Sequence, residues 1–210
     1  MSGSAPVIVA FARTPIGKFR GSLSSLTAPQ LGSIAIQGAL SKLDPQIIVP
    51  QEAFMGNVVS AGIGQAPCRQ AVLGSGRMPM SSICTTVNKV CASGMKSVML
   101  ASQAIQLNHI SRGSNTSSIF LAGGMESMSN IPHYLTQSRS GVALGHGKLV
   151  DGVIHDGLWD VYNDQHMGMC AEKCAKDYII SREEQDAYAM ESYRRAQAAL
   201  KEDIFINEVC

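Results

Sequence analysis

Apolar and polar positions change period repeatedly along this chain. Four short runs rich in β-branched or bulky apolar residues, at 7–11, 51–59, 81–87 and 119–122, have strand length, and the last three are followed by Ser, Asn or Gly. The first and third read as buried strands. Between the runs the spacing is helical. Thr27 caps a helix running to about Lys42, with Leu31, Ile34, Ala35, Gly38 and Ala39 on one side. A shorter helix spans about 67–73, with Pro67 in its first turn, where proline is tolerated. A third spans 92–107 and is apolar on most faces, which predicts that it is buried. Strands alternating with helices predict an α/β fold, a mostly parallel or mixed sheet with helices on both faces.

After residue 128 the character shifts. Residues 132–147 are polar and Gly/Ser-rich, without periodicity, and predict a loop-dominated subdomain. Helices follow over 167–178 and, opened by a capping box of Ser181 and Glu184, to about Lys201. Ala189, Tyr193, Ala196 and Leu200 form the second one's apolar stripe. Residues 108–118 are polar and turn-rich and read as a surface insertion. The organisation expected is an α/β domain over residues 1–128 and a loop-rich, partly helical domain over 129–210.

Composition narrows the classes. With 210 residues, 45% of them hydrophobic, the chain can bury one sizeable core or two modest ones. The 17 basic and 16 acidic side chains leave a formal charge of +1, which gives no electrostatic case for nucleic acid or an anionic membrane surface. No apolar run reaches the ~20 residues of a membrane span. The first six residues lead straight into an apolar run, leaving no room for a targeting peptide, and the chain does not end in Ser-Lys-Leu. A cytoplasmic protein is expected, its six cysteines (68, 84, 91, 170, 174 and 210) reduced.

One of those cysteines stands out. Cys91 falls where the run 81–87 gives way to the helix 92–107, followed by Ala92, Ser93 and Gly94. Small residues let the backbone turn sharply and a substrate come close. First-turn N–H groups lack intrahelical partners and carry partial positive charge, which favours a thiolate and can steady an oxyanion. A packed, inert cysteine fits the same residues, and position alone leaves both readings open. His166, Cys170 and Cys174 have helical spacing, but the outer two would be ~12 Å apart, too far to share a metal ion. Gly62-Ile-Gly64-Gln-Ala-Pro67 lacks the third glycine of a dinucleotide loop. Residues 142–149 lack both the first glycine and the terminal Ser or Thr of a phosphate loop.

Val87-Asn-Lys-Val-Cys-Ala-Ser-Gly-Met-Lys96 resembles the nucleophile segment of thiolases, in particular the biosynthetic acetyl-CoA acetyltransferases. Four more segments resemble the family's in order: Ala12-Arg-Thr-Pro-Ile-Gly17, Gly64-Gln-Ala-Pro-Cys-Arg-Gln-Ala71, Ala122-Gly-Gly-Met-Glu-Ser-Met-Ser129, and Asp156-Gly-Leu158 with His166-Met-Gly168. The resemblance implies that Cys91 is the catalytic nucleophile and that Leu158, His166 and Met167 line the coenzyme A and acyl tunnel. It makes residues 1–128 the nucleophile domain and 129–210 an incomplete substrate-binding loop domain. Glu126 reads as a residue that fixes a turn rather than as a base.

The reaction so implied is the Claisen condensation of two acetyl-CoA to acetoacetyl-CoA, and thiolysis in reverse. It needs no metal and no cofactor beyond the coenzyme A thioester substrate, and the family's members are homo-oligomers, dimers or tetramers. The Asn-Glu-Ala-Phe, Gly-His-Pro and Cys-Gly segments that supply the family's second half-reaction do not occur in these residues. The resemblance therefore covers the N-terminal half of a thiolase, with the C-terminal domain absent, and implies little or no condensing activity for the chain alone. The alternative is a non-catalytic truncated form that binds coenzyme A weakly or associates with full-length subunits. A cysteine hydrolase pairing Cys91 with a histidine is a further reading, though no local motif supports it.

Overall fold

The computed structural model describes residues 5–46, 49–112 and 118–210, the side chains of residues 108–112 excepted. Three parallel strands, β1 (Glu52–Gly56), β2 (Ile83–Val87) and β3 (Phe120–Gly124), form a sheet in the order β2-β1-β3. Glu52 pairs with Ile83 on one side and with Phe120 on the other. β1 is central and buried over 53–56, as its near-continuous apolar run demands. β2 is an edge strand and half exposed. Its alternation of Ile83, Thr85 and Val87 with Cys84 and Thr86 turns only one side to the core.

Helix α1 (Ala28–Leu40) begins at Thr27, whose hydroxyl and the Gln30 side chain close the capping box. α1 packs on α2 (Pro67–Gly74), which covers β1 and β2 from one face. The amide of Cys68, in the first turn of α2, donates to Thr86 Oγ1 at 3.0 Å and so pins that helix to β2. Helix α3 (Ser93–Arg112) crosses from β2 over β1 to β3 on the opposite face. The two crossovers leave β2 and β1 on opposite faces, so both sides of the sheet are covered, as right-handed βαβ connections require. The core is Ile36 and Leu40 of α1, Ala53 and Met55 of β1, Cys68, Ala71 and Val72 of α2, with Met78 and Met125.

Two elements differ from the sequence reading. Residues 7–11 form no strand, and Val7 and Ile8 are 76% and 79% exposed. A strand exists only against a pairing edge, and no described residue offers one to this run; its neighbour Arg13 makes an isolated bridge to Val209. Helix α3 is buried along one face only. Ser93, Ser97 and Ala101, four residues apart, meet the sheet, while Met95, Val98 and Met99 point outward. Its backbone continues to Arg112 through the start of the expected surface insertion, and residues 113–117 of that insertion lie outside the described residues.

Beyond β3 the chain forms short paired segments rather than a sheet. β4 (His133–Tyr134) pairs with β5 (Val150–Asp151), and β6 (Trp159–Asp160) with β7 (Gln165–His166). Between them lies a six-residue π-helix, Val153–Leu158. Helices α4 (Met167–Asp177) and α5 (Arg182–Lys201) close the chain, and the Ser181–Glu184 capping box forms at the start of α5. The predicted stripe on α5 does not pack: Tyr193 and Leu200 are both 73% exposed, and Ala199 is the buried position. Periodicity marks a face, and burial needs something opposite it.

Where α3 starts, its backbone lies against the sheet. A Cβ on Gly56 would stand 2.5 Å from the Ser93 carbonyl carbon and 2.6 Å from the Gly94 nitrogen. Backbone atoms on both sides cannot yield as a side chain can. Gly56→Ala is therefore expected to lower the unfolding free energy by about 1–3 kcal/mol in urea titrations; a loss below about 0.5 kcal/mol would mean that α3 is not seated as described.

Candidate active site

The site grows from the turn between β2 and α3. After Val87 the Asn88 carboxamide folds back, its Oδ1 accepting from the Val90 amide at 2.9 Å. Val90 has φ +48°, a left-handed conformation that a β-branched residue adopts only under constraint. Ser93, at the head of α3, is buried. Its hydroxyl accepts from the Lys89 amide at 2.8 Å and donates to the Val90 carbonyl. These bonds clamp the turn from inside and leave Cys91 at its apex, exposed. Gly124 keeps the space open: a Cβ there would lie 3.2 Å from the Gly94 Cα, so the first turn of α3 and the end of β3 nearly touch.

Cys91 faces a cleft of about 420 Å³ at the carboxyl ends of the strands. Open parallel sheets place their ligands at that end. Its floor is Gly56, Asn57, Gly124 and Met125, and its wall is Val90, Cys91, Ser93 and Gly94. The opposite wall comes from residues distant in sequence, among them Met128, Ile131, Val153 and Leu158. The lining is mainly apolar, with Asn57, Ser93, Glu126 and the Cys91 thiol as its polar side chains.

Leu158 lines the same cleft as Cys91, delivered by the π-helix, a conformation often found at functional sites. That helix is anchored by Tyr134, whose hydroxyl donates to Asp156 Oδ2 at 2.7 Å. His155 Nδ1 lies 2.7 Å from the other carboxylate oxygen. Burial together with the Asp156 carboxylate pushes the Tyr134 phenol up to about 12. Burial acts to raise Asp156 too, but the hydrogen bonds from His155 and Tyr134 outweigh it and hold that carboxyl below its usual range. His166 and Met167 stand elsewhere, at the start of α4. His166 is the helix cap, its Nδ1 accepting from the Gly168 amide at 2.9 Å, and neither residue lines the cleft.

Glu126 is the half-buried carboxylate of the site. Oε1 accepts from Asn57 Nδ2 at 3.0 Å and Oε2 from the Val58 amide at 2.8 Å. These bonds hold the turn after β1, a partner segment that the sequence reading of Glu126 as fixing a turn did not name. Burial nonetheless wins over those hydrogen bonds and raises its pKa above the usual carboxylate range. Asn57, 1% exposed, escaped the sequence reading, although Gly56-Asn57 at the end of an apolar run was a visible signal. The strain at Val90 had no such signal.

The other thiols differ in setting. Cys68 is fully buried behind the sheet, and burial next to Cys84 pushes its thiol up to about 12. A second, open groove of about 520 Å³, lined by Tyr178, Ile179, Ile180, Glu184, Gln185 and Tyr188, holds no nucleophile.

Fold and site together define an α/β protein that presents a thiol at the carboxyl ends of parallel strands. The family described as "Thiolase, N-terminal domain" matches residues 6–210, and the chain belongs to the thiolase family. It is 58% identical over 204 residues to acetyl-CoA acetyltransferase 1 of Arabidopsis thaliana, across 96% of this chain and 47% of that protein. It is 54% identical over 203 residues to the mitochondrial acetyl-CoA acetyltransferase of Bos taurus, across 97% of this chain and 46% of that one. The Acat5 thiolase of Ascaris suum, crystallised in complex with coenzyme A, superposes with a TM-score of 0.85 at 43% identity, covering 96% of this chain and 50% of the other. The chain spans about half the length of the curated relatives it matches.

The sign of the Glu126 shift sets a pH dependence. A raised carboxyl binds its proton more tightly in the folded state. The resulting stabilisation is complete below the ordinary glutamate value and is lost as pH rises through the raised one. Over that window the wild type is expected to lose stability relative to Glu126→Gln, measured by urea unfolding at stepped pH. Parallel curves would show that Glu126 titrates as an ordinary carboxyl.

Proposed function

We propose that this chain carries the acyl-accepting part of an acetyl-CoA C-acetyltransferase-type thiolase. The full reaction condenses two acetyl-CoA to acetoacetyl-CoA, or runs backward as thiolysis, through an acetyl-cysteine at Cys91. The observation that supports it best is the exposed thiol at the head of α3, facing the cleft at the strand ends.

In the first half-reaction the Cys91 thiolate attacks the thioester carbonyl carbon. The new carbon–sulfur bond forms, the bond to the coenzyme A sulfur breaks, and coenzyme A leaves with the proton that Cys91 gave up. The amides of Gly94 and Met95, in the first turn of α3, have no intrahelical partner and are suited to hold the oxyanion. Leu158 packs the acyl end, and His166 and Met167 serve the pantetheine arm from the start of α4. The substrate-binding part is taken as residues 129–210 and the nucleophile part as 1–128. The second half-reaction needs a base for the methyl group of the second acetyl-CoA and donors for the enolate oxygen. In the family, segments outside these 210 residues provide both, so condensation by this chain alone is slow or absent.

This reading takes a coenzyme A thioester as substrate and no other cofactor, and a homo-oligomer as the working form. Its compartment is the cytoplasm, although the Bos taurus relative is named mitochondrial. A second reading, a non-catalytic chain that pairs with complete thiolase subunits, is favoured by the uncovered run of Val7, Ile8, Val9 and Phe11.

Incubation with acetyl-CoA, followed by intact-mass analysis and peptide mapping, separates the two. Acyl transfer leaves one acetyl group on Cys91 with matching coenzyme A release, both lost in Cys91→Ala, and little acetoacetyl-CoA. The absence of an adduct, or one that survives Cys91→Ala, would remove the catalytic reading.

A further inference from the structure

We propose that Glu126 is a positioning residue for the Cys91 turn, acting through Val58 and Asn88 on Val90. The inference rests on Cys91 being the reactive thiol, and it concerns how that thiol is presented rather than what it attacks.

The carboxyl ends of the three strands are tied together by the two residues after β1. The Asn57 amide donates to the Val87 carbonyl of β2 at 3.0 Å. Asn57 Nδ2 reaches the other way, to the Met125 carbonyl at 3.3 Å and to Glu126 Oε1 at 3.0 Å, just past β3. Its Oδ1 accepts from Ser60 Oγ at 2.7 Å. The Val58 amide donates to Glu126 Oε2 at 2.8 Å, which fixes the orientation of the following peptide groups. The Val58 carbonyl then accepts from Asn88 Nδ2 at 3.0 Å, and Asn88 Oδ1 accepts from the Val90 amide at 2.9 Å. Val90 is the left-handed β-branched residue immediately before the nucleophile.

A continuous line of hydrogen bonds therefore runs from the half-buried carboxylate to the strained residue. Its far end is over-determined: Ser93 grips the Val90 carbonyl while Asn88 grips the Val90 amide. Such strain persists only where its surroundings enforce it. A carboxylate is also a poor choice for mere filling, since burial works against its charge. What it offers is two acceptor oxygens on one rigid group, matched to the Asn57 carboxamide and the Val58 amide. A glutamine in its place can accept only one of those bonds and turns an NH₂ toward the other donor.

The test reads thiol presentation directly. Alkylation of the full chain by iodoacetamide is followed by mass spectrometry for Cys91, with the exposed Cys174 of α4 as internal reference. Glu126→Gln is expected to slow Cys91 about tenfold, in line with the cost of a small misplacement of a reacting atom, and to leave Cys174 unchanged. Asn88→Ala, at an exposed side chain, is expected to do the same, and the double variant to be no slower than the slower single one, because the line is already cut. In a ¹⁵N spectrum the Val90 amide resonance is expected to move in Glu126→Gln, a change that a role confined to the turn after β1 would not produce.

A folded Glu126→Gln chain whose Cys91 rate stays within about twofold of wild type, or single effects that multiply in the double variant, overturns the proposal. If Glu126→Gln does not fold, Asn88→Ala decides, and an unchanged Cys91 rate there overturns it equally. No acetyl-CoA enters the assay. Failure of Cys91 to be acetylated is thus a separate result, and it would sink the acyl-transfer reading while leaving this one standing.

Discussion

The structure depends on one close approach, that of the first turn of α3 to the ends of β1 and β3. Two glycines permit it. Gly56 and Gly124 close the two strands, and added methyl groups there would crowd the backbone of Ser93 and Gly94. The helix must enter at that depth because its buried face is a line of small residues, Ser93, Ser97 and Ala101. Once it does, the connection from β2 has few residues in which to rise, turn and start the helix. The left-handed Val90 and the exposed Cys91 follow from that shortage of chain.

Around this contact the polar groups divide into two kinds of work. Ser93 clamps the turn locally, within a few residues of the nucleophile. Asn57, Glu126 and Asn88 act across strands, joining segments far apart in sequence. The apolar half of the cleft is then built by chain that returns from beyond β3, with the π-helix carrying Leu158 toward Cys91. A single thiol thus shares its cleft with a few polar side chains, Asn57, Ser93 and Glu126, and with a mainly apolar lining.

Uncovered apolar surface is the other consistent theme. The run at 7–11, the outward face of α3 and the stripe on α5 all show side chains to solvent. Each was legible as a hydrophobic pattern, and each lacks a described partner element. The chain spans about half the length of its curated relatives.

Local chemistry alone determined a good deal. The capping boxes at Thr27 and Ser181, the placement of Pro67, the order of strands and helices, and the position of Cys91 between β2 and α3 are written in residues a few places apart, where propensity and hydrogen-bonding reach suffice. The five ordered motifs carried the family for the same reason, being contiguous. Tertiary structure decided the rest: that 7–11 has no described strand to join, that α3 buries one face, that Glu126 binds the residues after β1, and that Leu158 lines the cleft of Cys91 while His166 turns back to cap its own helix. These are matters of which surfaces meet. Pairing edges, burial and long-range hydrogen bonds depend on partners that no local pattern names.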